Sequence, residues 1–171
     1  MRPFLFQPTG AGRVKPNRRG FFKSVLGVVV CTATFALVPQ AAAAANEARK
    51  ETLQSINRVE NPRDSMKPGL HGELGPYQFR SKTWAMHTRR PFADALNRTA
   101  SDEVAVIHYE WIKAGLLRAG VSPSAYNIAL AWNAGVSAVV NGRAPRVSHD
   151  YARRVSNLTA DQLRGKQIAA N

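Results

Sequence analysis

The chain is expected to fold as an all-α domain, and three features of the sequence predict it. Apolar residues recur at three- and four-residue spacing in every segment that reads as regular structure. Residues suited to helix ends, Ser, Thr, Pro and Gly, punctuate those segments. No run alternates apolar and polar residues as a half-buried strand would, and no internal repeat is visible. A mainly helical α+β fold stays open only through a minor hairpin in the loop 64–77.

The first helix is expected over Glu47 to Glu60, where Leu53, Ile56 and Glu60 stand at i, i+3 and i+7. Pro62 ends it, because the residue before a proline is driven out of the helical region. The loop "NPRDSMKPGLHGELGP" follows, and a second helix is expected from about Gln78 to His87. In "TASDEVAVIHYEWIKAGLLRAG", Thr99 or Ser101 is the expected cap, with Asp102 and Glu103 in the first turn and Gly120 past the end. Val104, Ile107, His108, Trp111 and Leu116 are assigned to its inner stripe. In "VSPSAYNIALAWNAG", Ser122 is the expected N-cap and Pro123 the first helical residue, with Gly135 as terminator. "VSAVV" suggests one or two further turns, and Ser148 and Thr159 are each expected to cap a short helix beyond.

Charge and cysteine usage divide the chain. Of 24 basic and 11 acidic residues, six basic and no acidic residues lie in 1–45, so 46–171 carries net +7 out of the total +13. "NRRGFFK" precedes an uncharged run from Ser24 to Ala45 that ends in "PQAAAAAN". A basic head, an apolar stretch and small residues at a cleavage site are the parts of an export signal. Paired Arg18 and Arg19 resemble a twin-arginine signal, so residues 1–45 are read as an export signal and 46–171 as the mature domain. The expected location is periplasmic or extracellular, with transient membrane contact through the signal; an uncleaved membrane anchor is the alternative. Cys31 is the only cysteine and lies inside the signal, which leaves the domain no disulfide and no cysteine metal site. The histidines His71, His87, His108 and His149 have no metal-ligand spacing, and no metal or cofactor is expected.

The chemistry centres on Glu60. Its position on the apolar stripe and at the helix C-terminus both disfavour a negative charge, while Arg58 and Arg63 favour one. The helix dipole contributes only about 0.3 to 1 kcal/mol, so desolvation must dominate for the carboxyl to stay protonated near neutrality. A neutral carboxylic acid is what a general acid at a glycosidic oxygen requires. "HGELGPYQF" adds Gly72, Gly75 and the amide of Gln78, and "IALAWNAG" places Asn133 in register with Tyr126, Ala129 and Leu130. Amides both donate and accept, as recognition of sugar hydroxyls and acetamido groups demands. Glu73 is the nearest second acid.

These segments, "VENP", "GELGPYQF" with the later "TW", "ALAWNAG" and the tyrosine of "HDYARRV", resemble in order and spacing the catalytic domain of lysozyme-like lytic transglycosylases. The resemblance runs from about Leu53 to Leu158 and implies a compact lysozyme-like domain. It implies that Glu60 is the single catalytic acid and base at the bond between N-acetylmuramic acid and N-acetylglucosamine, leaving 1,6-anhydro ends. It places Gln78 and Asn133 in the substrate cleft, Gly75 and Gly135 at turns that make room for the glycan, and Tyr151 near the catalytic glutamate among the substrate-binding residues; Tyr77 is read as a further substrate contact and Glu73, outside the family's pattern, as an auxiliary acid. Asn61 stands where that family usually has serine. The partner it implies is peptidoglycan, bound by a monomer; no nucleic-acid partner is expected. The alternatives are a hydrolytic muramidase and a lysozyme-like module that binds peptidoglycan without cutting it.

Overall fold

The computed structural model describes residues 37–170. The basic and apolar parts of the expected signal, in 1–36, lie outside the described residues. The described residues form six α-helices and one 3-10 turn: α1 Leu37–Glu60, α2 Ser81–His87, the 3-10 turn Phe92–Leu96, α3 Arg98–Arg118, α4 Ala125–Ala134, α5 Val136–Val140 and α6 Arg146–Ala169. Among the described residues the only β pairing is a single bridge between Leu74 and Phe79, so the domain is all-α. No helix among them is long and apolar enough to cross a membrane.

Helix α6 lies against α1 and α4, and α3 packs on the 3-10 turn and on the inner side of α1 and α4. Ile56, Trp84, Ile112, Leu116, Ile128 and Val155 fill the centre, each with 1% or less of its surface exposed. Close packing of such side chains supplies the driving force for burial in a domain without cross-links. The seam between α1 and α6 is polar and largely hydrogen-bonded, with Gln162 Oε1 left without a partner among the described residues. Thr159 donates from Oγ1 to Val155 O at 2.9 Å and Gln162 from Nε2 to Ser55 Oγ at 3.0 Å, while Lys166 pairs with both Glu47 and the buried Glu51.

Several helix limits differ from the sequence expectation, each for an identifiable reason. Helix α1 starts at Leu37, ahead of Glu47, because the alanine tract is itself a strong helix former. Asn97, not Thr99 or Ser101, caps α3, its side chain accepting from Ala100 N at 3.0 Å. Asp102 consequently falls beyond the first turn and pairs with Arg98. Ser124, not Ser122, caps α4, accepting from Asn127 N at 3.2 Å. The two short helices expected after Gly142 are one, α6, since the hydroxyls of Ser148 and Thr159 are buried and bonded within the fold and do not act as caps. In α3, Ile107 and Trp111 are 47% and 44% exposed; Ala105, Tyr109 and Ile112 occupy the inner stripe assigned to them.

Candidate active site

Helix α1 delivers Glu60 at its last residue. Asn61 continues the helical bonding, N–H to Asn57 O at 2.8 Å, and then closes the following loop. Its Oδ1 accepts from Ser65 N at 2.8 Å, and its Nδ2 donates to Ser65 O at 3.0 Å and to Gly75 O at 3.3 Å. The amide at this position is therefore structural, fastening the loop to the end of the helix that carries Glu60.

Gly75 O is the joint of that fastening. Besides Asn61 it receives Gln78 N at 3.1 Å and Gln78 Nε2 at 2.9 Å. The turn 75–78 is closed on its outer side by the Leu74–Phe79 bridge, with N···O distances of 3.0 and 2.9 Å. Gln78 sits at φ +47°, a left-handed conformation uncommon for a residue other than glycine, and this turn keeps it out of α2. Strain of about 1 to 3 kcal/mol of this kind persists only where surrounding bonds over-determine the conformation. Gly69 comes so near that an added Cβ would lie 2.6 Å from Gln78 Oε1 and 2.7 Å from Glu73 Oε2. The loop thus brings Gly69, Glu73 and Gln78 together.

A groove of about 550 Å³ opens among these groups. Glu60, Glu73 and Gln78 line one part of it, Asn133 and Gly135 at the end of α4 another, and Thr83, Met86, His108 and Trp111 from α2 and α3 a third. Its size and its mix of apolar walls with a few convergent polar groups suit a binding site. Gly135, at φ +86°, lets α4 stop and α5 begin without an intervening loop, which leaves Asn133 exposed at the rim. Asn133 Oδ1 accepts from the buried Ser148 Oγ at 2.7 Å. That bond fixes the amide while its NH₂ has no protein acceptor among the described residues.

The two carboxyls in the groove are driven in opposite directions. Burial raises the Glu60 pKa to about 7; Tyr151 opposes this, Glu73 reinforces it by repulsion, and Arg154 opposes it weakly. The counter-charge is Arg154 on α6, in place of the Arg58 and Arg63 expected from sequence. Burial also acts to raise Glu73, but hydrogen bonds from His71 N–H at 2.8 Å and from Arg80 Nε at 3.2 Å outweigh it, and its pKa is lowered. One carboxyl is thus shifted to about neutral pH while its neighbour is held towards its ionised form.

Of the residues expected at the substrate, Tyr77 and Gly75 are placed elsewhere, while Tyr151 stands beside Glu60, as the resemblance implied. Tyr151 is buried behind Glu60 and does not line the groove. Its hydroxyl faces the Glu60 carboxyl without a hydrogen bond of normal length and angle, and burial first, then the Glu60 charge, raises its pKa. Tyr77 is 3% exposed and points away from the groove, its hydroxyl donating to Asp102 Oδ1 at 2.7 Å, with Arg98 over its ring. Gly75 makes no room for a ligand, because the Ala95 carbonyl fills the space where its Cβ would be. Tyr77→Phe is accordingly expected to leave groove chemistry unchanged while lowering stability by about 1 kcal/mol, the worth of one hydrogen bond, measured by urea unfolding.

His108, Trp111, Met86, Thr83 and Gly69 line the groove and were not singled out for it by the sequence. The periodicity that put Trp111 on a helix stripe signalled its face but not that the face was open. A larger cavity of about 970 Å³ runs along Glu47, Asn57, Asp64, Tyr77, Arg98 and Asp102, where Glu47 pairs with Lys166 and Asp102 with Arg98. No cluster of three or more metal-ligating side chains occurs among the described residues.

Comparison with protein families, with curated proteins and with solved structures found no match.

Proposed function

We propose that this protein cleaves the glycan strands of peptidoglycan, with Glu60 as its general acid and base, after export directed by residues 1–45. The observation that carries this reading is a half-buried carboxyl with a pKa near 7, lining a groove that also holds the amides of Gln78 and Asn133. The four motifs shared with lysozyme-like lytic transglycosylases supply the substrate and bond: the linkage from N-acetylmuramic acid to N-acetylglucosamine.

Protonated Glu60 donates to the glycosidic oxygen, and the C1–O bond breaks as the N-acetylglucosamine leaves with its 4-hydroxyl restored. The resulting Glu60 carboxylate takes the proton from the muramic acid 6-hydroxyl, whose oxygen bonds to C1. The product is a 1,6-anhydro ring, and Glu60 is again protonated. Tyr151 behind the carboxyl supports the ionised half of this cycle, and burial supports the neutral half.

Glu73 favours a second reading, hydrolysis. It lies in the same groove and is held ionised, as a base activating water must be. A module that only binds glycan would have no use for a carboxyl kept neutral at a desolvation cost.

The test is release of soluble fragments from purified peptidoglycan, followed across pH. Cleavage is expected to fall as pH rises through about 7, where Glu60 loses its proton. Stability should follow the same group. A folded pKa raised above the unfolded value gives a contribution fully present below about 4.5 and lost as pH rises through about 7. His108 acts with the opposite sign: burial, then His87, lowers its pKa to about 4, so its contribution is present above the unfolded value of 6.5 and lost as pH falls through 4. The difference in urea midpoint between wild type and Glu60→Gln isolates the glutamate, and it should grow between pH 4.5 and 7 in favour of the variant.

A further inference from the structure

We infer that the wall formed by α2 and α3 is a sugar-stacking subsite, with the Trp111 indole as the platform for a pyranose ring of a β-1,4-linked N-acetylhexosamine polymer. This rests on the glycan reading above and adds a binding residue that none of the shared motifs contains.

Trp111 and Trp84 differ in a way that packing alone does not explain. Trp84 is 1% exposed and its Nε1 donates to Arg90 O at 3.0 Å, as a core indole should. Trp111 is 44% exposed, lines the groove and has no such partner among the described residues. Leu70 and Met86, 94% and 51% exposed, line the same groove. Three large apolar side chains left open around one concavity that also holds two carboxyls and two amides describe a ligand with both an apolar face and a polar edge. A pyranose ring is such a ligand: its C–H face is apolar and slightly positive, matching the negative face of an indole, and its hydroxyl and acetamido edge needs donors and acceptors.

The platform is rigid. The Trp111 ring lies nearly parallel to His108, at 14° and 5.7 Å between centroids, and His87 meets its edge at 6.2 Å. His108 is fixed in turn by a 2.9 Å hydrogen bond between its Nδ1 and His87 Nε2 and by Trp132 edge-on at 4.7 Å. Burial keeps this backing ring uncharged at neutral pH. A fixed aromatic surface loses little conformational entropy when a ligand settles on it, which is how such anchors come to dominate binding.

The test is calorimetric titration of the full chain, carrying Glu60→Gln so that the probe is not consumed, with the hexamer of N-acetylglucosamine. Trp111→Ala in that background is expected to weaken hexamer binding about tenfold, and Trp111→Phe, which keeps a ring face, by less than threefold. The thermal midpoint should fall only modestly, through the lost packing on His108 and His87, and less in Phe than in Ala. Hexamer affinity unchanged within twofold in Trp111→Ala, or equal tenfold losses in Ala and Phe, would overturn the platform while leaving the cleavage reading intact. Should Trp111→Ala fail to fold, the Phe titration decides on the same threefold and tenfold limits. A parent that binds no hexamer overturns the subsite, and if peptidoglycan is also left uncut the function falls with it.

Discussion

Replacing Glu60 by glutamine is expected to reduce peptidoglycan cleavage by about 10³-fold or more, without loss of the fold. Glutamine keeps the shape of the side chain and removes its only transferable proton. No second carboxyl lies behind it to substitute, since Glu73 is committed to His71 N–H and Arg80 and is held ionised. The fold should survive because an amide is neutral at every pH and sits where burial already penalises charge. The raised pKa corresponds to a net cost on the order of 3 kcal/mol for the carboxylate at pH 8 and above, so the variant should be the more stable protein there. Circular dichroism and urea unfolding check the fold beside the assay. More than a tenth of wild-type cleavage in Glu60→Gln would remove the glutamate from the chemistry.

Gly75→Ala is expected to lower stability by about 3 to 5 kcal/mol, more than an added methyl at any other described glycine. The backbone there is left-handed, at φ +77°, which alone disfavours a side chain. An added Cβ would in addition lie 1.8 Å from the Ala95 carbonyl oxygen, backbone that has no rotamer with which to retreat. The damage would spread to the site, because the Gly75 carbonyl ties Asn61 to Gln78. Cleavage should therefore fall with stability, in contrast to Glu60→Gln, where the two separate. A Gly75→Ala protein with an unchanged urea midpoint would show that the turn 75–78 has a different local structure. Domains of this size hold roughly 5 to 15 kcal/mol in reserve, so the variant is expected to remain measurable at low temperature.

What the sequence disclosed of this fold and site follows from how local each feature is. Helix type and order were legible because the apolar spacing of Leu53 and Ile56, or of Ala129 and Leu130, is a property of the segment alone. Capping was less so. "LNRTASDE" offers Asn97, Thr99 and Ser101 as competent caps, and the choice depends on where the preceding 3-10 turn leaves the chain. Ser148 and Thr159 look like caps locally and are buried instead, because α4 and α1 present partners for their hydroxyls.

The site divides in the same way. Glu60 was visible through the conflict between its charge and its face, and Gln78 and Asn133 through their place at the ends of patterned segments. Tyr77 and Gly75 look like ligand contacts beside "GELG", but Asp102 and Ala95, some 20 to 25 residues further on, claim them. Trp111 was hidden for the opposite reason. Helical spacing assigned it to the interior, and only the arrangement of α2 against α3 leaves its indole open to the groove. Asn61 departs from the serine of the resembling family, and its three side-chain bonds explain how the loop is held without that hydroxyl.

Mass spectrometry of the glycan ends released from purified peptidoglycan tests the central claim most directly. Wild type is expected to yield muropeptides ending in 1,6-anhydro-N-acetylmuramic acid, each lighter by one water than its reducing-end counterpart, and Glu60→Gln to yield none. Reducing ends in their place would transfer the second step to a water activated by Glu73. Intact strands after incubation with wild type, or equal release by wild type and Glu60→Gln, would contradict the claim that Glu60 cuts the glycan.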